Sequence, residues 1–212
     1  MSNALIYFIR EKAMSRNYPV NQGQEGTLDV NHEIQNKLTV LQEHVCSKHS
    51  KVLSVRFDVR YPQDYPASGD NKDISKMISK MNQAYKRMGY DPDYMWVREK
   101  MRSDNPHYHC VLFLNGSKTR KFNHVFKTAE SLWGSTIGAD VAGCIDHCTG
   151  NDKNGLLIVS KRDGSTDSHH DNFDAVHLQN SYLAKENGKG LPKDGLRNFG
   201  MSRIPNIKIN SK

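Results

Sequence analysis

The stretch "HYHCVLFL", residues 107 to 114, constrains the fold of this chain more than any other. In a strand, side chains alternate between faces, so Val111 and Phe113 follow His107 and His109 on one side. Tyr108, Cys110, Leu112 and Leu114 line the other side. A strand apolar on both faces belongs at the centre of a sheet that is covered twice. His107 and His109 interrupt that pattern on one face, and two imidazoles in such a place need partners or they cost stability. The partners are either hydrogen-bonding groups of a core or a bound metal ion.

The surrounding sequence supplies the rest of the layers. "KVLSVRFDVRYP" alternates, with Leu53, Val55, Phe57 and Val59 on one face and Ser54, Arg56, Asp58 and Arg60 on the other. It reads as a strand with one apolar and one polar face, ended near Pro62. Before it, Ile34, Leu38, Leu41 and Val45 recur at helical spacing, and residues 1 to 28 read as an arm. After it, Ile74, Met77, Ile78, Met81, Tyr85 and Met88 form the stripe of a second helix, with Gly89 as its C-cap. "DYMWVREKM", the turn "RSDNP" and "HYHCVLFL" make a hairpin. "TRKFNHVFKTAESLWG" reads as a third helix closed by Gly134, and "GLLIVSKR" as a short strand. "DGSTDSHHDNFD" reads as an acidic, histidine-rich loop, and "AVHLQNSYLAKENG" as a last helix stopped by Gly188. Helices and strands mixed with a tight hairpin predict an α+β fold with a central, mainly antiparallel sheet flanked by helices. The expected division is an arm and helix over 1–50, the main domain over 51–199 and a basic tail over 200–212.

The chain has 212 residues, 36% hydrophobic and 25% charged, with no apolar run near the ~18 residues of a membrane helix. Its N-terminal residues do not have the pattern of a secretory signal, and four cysteines at this length do not suggest a disulfide framework. A cytoplasmic, reducing location is the expectation. Net charge is +7 and is segregated. From Ser181 onward there are seven Lys/Arg against Glu186 and Asp194, whereas residues 163 to 174 hold four aspartates and no Lys or Arg. Such segregation suits a protein with a side that faces phosphates.

If the hairpin turn centres near Ser103, Glu99 stands opposite His107 on the same face. Glu99, His107 and His109 then form a two-histidine, one-carboxylate set with open positions for water and substrate. On ligand softness the set suits Mn²⁺, on abundance Mg²⁺, and Zn²⁺ fits the donors too. "CIDHC" (Cys144, His147, Cys148) offers soft ligands but no fourth at a familiar spacing. "DSHHDNFD" reads as solvated, with His169, His170 or Asp171 near enough in principle to approach a metal.

"HYHCVLFL" resembles the histidine–bulky–histidine signature of the HUH endonucleases, a group of rolling-circle replication initiators, relaxases and single-strand transposases. "SYLAKE" is similar to their Tyr-x-x-Lys motif, and "VLSVRFDVRYP" to the strand of their first motif. The likeness spans residues 51 to 199, with the overall look of the filamentous-phage and prophage replication proteins of the inovirus gene-two type. It implies an RRM-like core, with Glu99, eight residues before His107, completing a Mg²⁺ or Mn²⁺ site. Tyr182 would attack DNA and form a 5′-phosphotyrosyl link, with Lys185 one helical turn on stabilising the phenolate or the phosphate. The implied partner is single-stranded or melted origin DNA, and the implied role is to initiate replication of a mobile element in a bacterial cell. No GxxxxGK[ST] loop occurs, so a helicase would come from the host. Arg56, Arg60, Lys189 and Arg197 are candidates to follow the phosphates, and Tyr61, Tyr65 and Tyr94 to stack on bases. Relaxases usually carry a third histidine and an N-terminal tyrosine, and the transposases are usually shorter and dimeric; both share this chemistry. A reading from another class is a basic, non-catalytic DNA-binding regulator whose histidines hold a structural metal or each other.

Overall fold

The computed structural model describes residues 18–23, 29–99, 105–148, 156–159, 166–186 and 196–204. Strand β3 (His107–Asn115) lies at the middle of its sheet, between β1 (Lys51–Val59) and β2 (Asp93–Glu99). The far edge of β1 is shared end to end by β4 (Ile145–Asp146) and β5 (Leu156–Val159), and β6 (Phe199–Met201) lies outside β2. Every pairing is antiparallel. The architecture is α+β, a sheet flanked by helices.

The two apolar faces of β3 bury against different helices, as its alternation requires. Tyr108, Cys110, Leu112 and Leu114 join Leu53, Val55, Phe57 and Val59 of β1 in one core. Helices α2 (Lys72–Arg87) and α3 (Asn123–Ile137) cover it with Ile74, Met77, Met81, Tyr85, Val125, Phe126 and Trp133. Val111 and Phe113 join Val52, Met95 and Val97 in the other core. That face is covered by α1 (His32–Lys48), α4 (Thr166–Asn180) and a 3₁₀ turn (Ser181–Ala184). No helix among the described residues is long and apolar enough to cross a membrane.

Several boundaries differ from the sequence expectation. Helix α3 passes Gly134 and stops at Gly138, whose φ of 71° few other residues adopt readily, with its N–H donating to Gly134 O at 2.8 Å. Gly134 matters for space instead. A Cβ there would lie 3.4 Å from Ala139 O and from Val141, so the bare backbone lets the returning chain pack closely. The acidic "SHHD" stretch is not a loop. It lies inside α4, which begins at Thr166, and acids are favoured near a helix N-terminus. The last helix does not run to Gly188 but tightens into 3₁₀ geometry after Asn180. Asn180 is fully buried and its side-chain amide donates to Ser54 Oγ at 3.0 Å, while Ser181 Oγ donates back to Leu178 O. Such side chains compete with helical bonding.

The polar face of β1 is likewise not a solvent face, since Ser54 and Asp58 are buried under the α4 side of the molecule. Helix α1 belongs to the same layered fold as the rest, and β6 crosses the boundary expected at residue 199. Lys189 and Gly188, with most of the N-terminal arm and of the basic tail, lie outside the described residues.

Candidate metal and nucleophile site

Register places the site. On β2, Glu99 stands opposite His107, as the hairpin spacing predicts. On the other neighbour, β1, Asp58 stands opposite His109. His109 is therefore flanked by carboxylates from both sides, at the end of the sheet where the polar face of β1 meets the 3₁₀ turn.

His109 presents Nε2 to Glu99 Oε2 at 2.5 Å and Nδ1 to Asp58 Oδ1 at 2.8 Å. His107 Nε2 reaches the same Glu99 Oε2 at 3.1 Å. Asp58 Oδ1 and His109 Nδ1 are close yet misaligned, so neither buried atom makes a hydrogen bond. Buried donors and acceptors are normally satisfied, and a pair left in this state fits a site that takes a cation. Asp58, His107 and His109 offer ligand atoms within 4.8 Å of one another, so this group could hold a metal ion. His107 is only partly buried, which leaves a side from which an ion or a ligand can enter.

Electrostatics agree with this use. Burial alone would push the Glu99 carboxyl up, but hydrogen bonds from His107 and His109, with the charges of His109 and Lys185, hold it well below the usual range. Asp58 follows the same balance: burial opposes ionisation, and His109 and Arg56 outweigh it, so its pKa is lowered. Both carboxyls are thus held toward their charged form.

The 3₁₀ turn brings the second half. Lys185 Nζ donates to Tyr182 Oη at 2.7 Å and sits 3.2 Å from Glu99 Oε1. In 3₁₀ geometry positions i and i+3 eclipse, which keeps Tyr182 and Lys185 together although the expected α-helix is absent here. The Tyr182 ring lies edge-on to His109, with centroids 5.3 Å apart, and Arg56 stands 4.3 Å over its face. This half-buried phenol is thus bracketed by two cations beside a group of metal-ligand type.

Glu99, His107, His109, Tyr182, Lys185 and Arg56, all singled out by their spacing and motifs, meet in one place. Asp58 was missed. It was visible as the polar residue two after Arg56, but its partner strand is distant in sequence, whereas the hairpin that exposed Glu99 is local. Among the other candidates, Arg60 and Arg197 are exposed, and Lys189 lies outside the described residues. Tyr61 cannot serve as an exposed stacking surface: it is buried against Tyr65 and Trp133 in the core on the opposite face of the sheet. Tyr65 donates its hydroxyl to Ile137 O, and Tyr94 is half-buried. The "CIDHC" residues do not form a metal group among the described residues: Cys144 is buried, and His147 stacks on Phe126 at 4.1 Å. The side chains of His169, His170 and Asp171 lie outside the described residues.

The model of one protein family, the YagK/YfjJ C-terminal domain, matches residues 10–202. No curated protein and no solved structure matches the chain.

Proposed function

The chain belongs to the YagK/YfjJ C-terminal domain family, and for it we propose metal-dependent nicking and rejoining of one DNA strand through Tyr182. The observation that carries this reading is Lys185, whose ammonium touches both Tyr182 Oη, at 2.7 Å, and Glu99, at 3.2 Å. One side chain thus ties a phenol to a group of metal-ligand type.

A tyrosine hydroxyl ionises near ~10 and is a weak nucleophile at neutral pH. The ammonium of Lys185, donating to Oη, stabilises the phenolate that attack requires, and Arg56 adds a second positive charge over the ring. His107 and His109, with the carboxylates Asp58 and Glu99 around them, would hold a divalent cation, Mg²⁺ or Mn²⁺. Such an ion supplies Lewis-acid polarisation of a phosphate oxygen. Tyr182 Oη forms a bond to phosphorus and the P–O3′ bond breaks. The phenol gives up one proton and O3′ gains one. The product is a 5′-phosphotyrosyl link and a free 3′-hydroxyl, which can later reverse the step and rejoin strands. This chemistry suits initiation of rolling-circle replication of a phage, prophage or plasmid element on single-stranded or melted origin DNA. A separate helicase would open the duplex, and exposed Arg60 and Arg197 would follow the phosphates, so affinity falls with salt.

The test incubates the protein and Mn²⁺ with single-stranded oligonucleotides tiling the DNA around its own gene, then looks for a covalent adduct on denaturing gels. The reading expects an adduct that Tyr182→Phe abolishes while Mn²⁺ affinity is kept. No adduct on any oligonucleotide, or an adduct that survives Tyr182→Phe, overturns it.

A further inference from the structure

The 3₁₀ turn that carries Tyr182 has only four residues, and its closing bond, Lys185 N–H to Tyr182 O, is 3.2 Å long. Short 3₁₀ segments have poor hydrogen-bond geometry, so the position of this turn has to be set from outside. Leu183 and Ala184 are buried in the core, and the backbone of the turn is bonded to the chain that precedes α1. Val30 forms an antiparallel bridge with Lys185. Asn31 N–H donates to Ala184 O, and Glu186 N–H donates to Asp29 O, both at 2.7 Å. Asn21 N–H donates to Ser181 Oγ at 2.7 Å. Further back, Pro19 O lies 3.1 Å from His177 Nδ1, and the Tyr18 hydroxyl donates to Glu43 of α1, so this stretch is itself anchored on α4 and α1.

We propose that residues 18–23 and 29–31, ahead of α1, position the nucleophile, with Asn31 on that side and Ser181 on the turn as the positioning residues. The inference rests on the reading of Tyr182 as nucleophile. The metal-ligand group stands on β1, β2 and β3, held by the sheet. Tyr182 and Lys185 stand on a turn that follows α4 and is bonded to residues more than a hundred positions away in the sequence. The distance between phenol and bound phosphate is therefore set by a seam between two parts of the fold. Misplacement by ~1 Å at such a seam costs on the order of 100-fold in rate.

Asn31 allows a selective test. Its φ of −74° is one that proline adopts, so Asn31→Pro leaves the local dihedral in place, deletes the N–H that reaches Ala184 O and puts Cδ where that hydrogen stood, which parts the contact. Both Asn31→Pro and Asn31→Ala delete the side chain that caps Ile34 N–H, so the pair separates loss of the seam contact from loss of the cap. Three quantities are compared in the full chain: single-turnover adduct formation at saturating Mn²⁺, Mn²⁺ affinity by electron paramagnetic resonance, and amide hydrogen exchange at Lys185 and Glu186. Asn31→Pro should form adduct about 10-fold or more slower than Asn31→Ala. Exchange at the two amides should be faster, and Mn²⁺ affinity should match. Ser181→Ala, which removes the acceptor of Asn21 N–H, is the second variant should the proline chain fail to fold, and should slow adduct formation in the same way. Equal adduct rates and equal exchange in the Asn31 pair would overturn the proposal. So would a fall in Mn²⁺ affinity parallel to the fall in rate, which marks a general structural role. If the unaltered protein forms no adduct, the nucleophile reading fails by itself, and the exchange comparison still decides whether the segment holds the turn.

Discussion

At the scale of single residues, His109 has two ring nitrogens and a carboxylate at each. An imidazole that binds a metal through one nitrogen usually gives the N–H of the other to an acceptor, which fixes its tautomer and orientation. One of Asp58 and Glu99 therefore shares an ion with the ring, and the other orients it. Glu99 Oε2 is hydrogen-bonded to Nε2 of His109, whereas Asp58 Oδ1 faces Nδ1 without a hydrogen bond and belongs with both histidines to the group that could hold the ion, so Glu99 is the orienting partner. Asp58→Asn should accordingly remove measurable Mn²⁺ binding, and Glu99→Gln should weaken it by about 10–100-fold. Titration calorimetry of the two variants checks the order, and the reverse order would make Glu99 the ligand. Lys185→Ala should slow adduct formation by about 100-fold, because the attacking Tyr182 Oη loses the cation that stabilises its phenolate form. The histidine pair and Glu99 were legible in the sequence because period two and one hairpin suffice to align them. Asp58 was not, because its register depends on how β1 finds β3 across an intervening helix and strand.

At the scale of elements, apolar spacing located the strands and helices well and their ends poorly. Gly134 and Gly138 illustrate why: both are glycines at a helix end, and only the backbone shows which one reverses the chain and which one makes room. Gly138→Ala forces a side chain into the left-handed region and should cost about 1 kcal/mol in denaturant unfolding. Gly200 is a harder constraint. A Cβ there would lie 2.5 Å from the indole of Trp96, which is buried in the core and cannot swing aside. Gly200→Ala should cost about 1–3 kcal/mol, the range of overpacked sites, and raise hydrogen exchange along β6. The loss of α-helix at Asn180 was equally hidden. Nothing in the periodicity of "AVHLQNSYLAKENG" says that Asn180 points inward to Ser54.

At the scale of the whole molecule, stability and site share the same charges. Asp58 and Glu99 have lowered pKa values in the folded state, so their contribution is complete above the ordinary carboxyl pKa of ~4. It is lost as pH falls through the lower folded values. Thermal unfolding of the metal-free protein should therefore show Tm falling steeply below about pH 4, with a flatter acid limb in Glu99→Gln. A divalent ion competes with those protons and should move the fall to lower pH. The sequence could announce a basic, layered α+β domain with a histidine pair, but the charge network needs three strands and a distant turn to be in place.

That histidines and carboxylates stand on three adjacent strands has a consequence for ionic radius. Strand separation is fixed at about 4.8 Å by the ladder of backbone hydrogen bonds, so the donors cannot close around a smaller ion by moving the main chain. Only side-chain rotation is left to adjust the fit. Divalent ions of similar size should then be accepted almost interchangeably, and the cell's supply, rather than the protein, would decide which one is used.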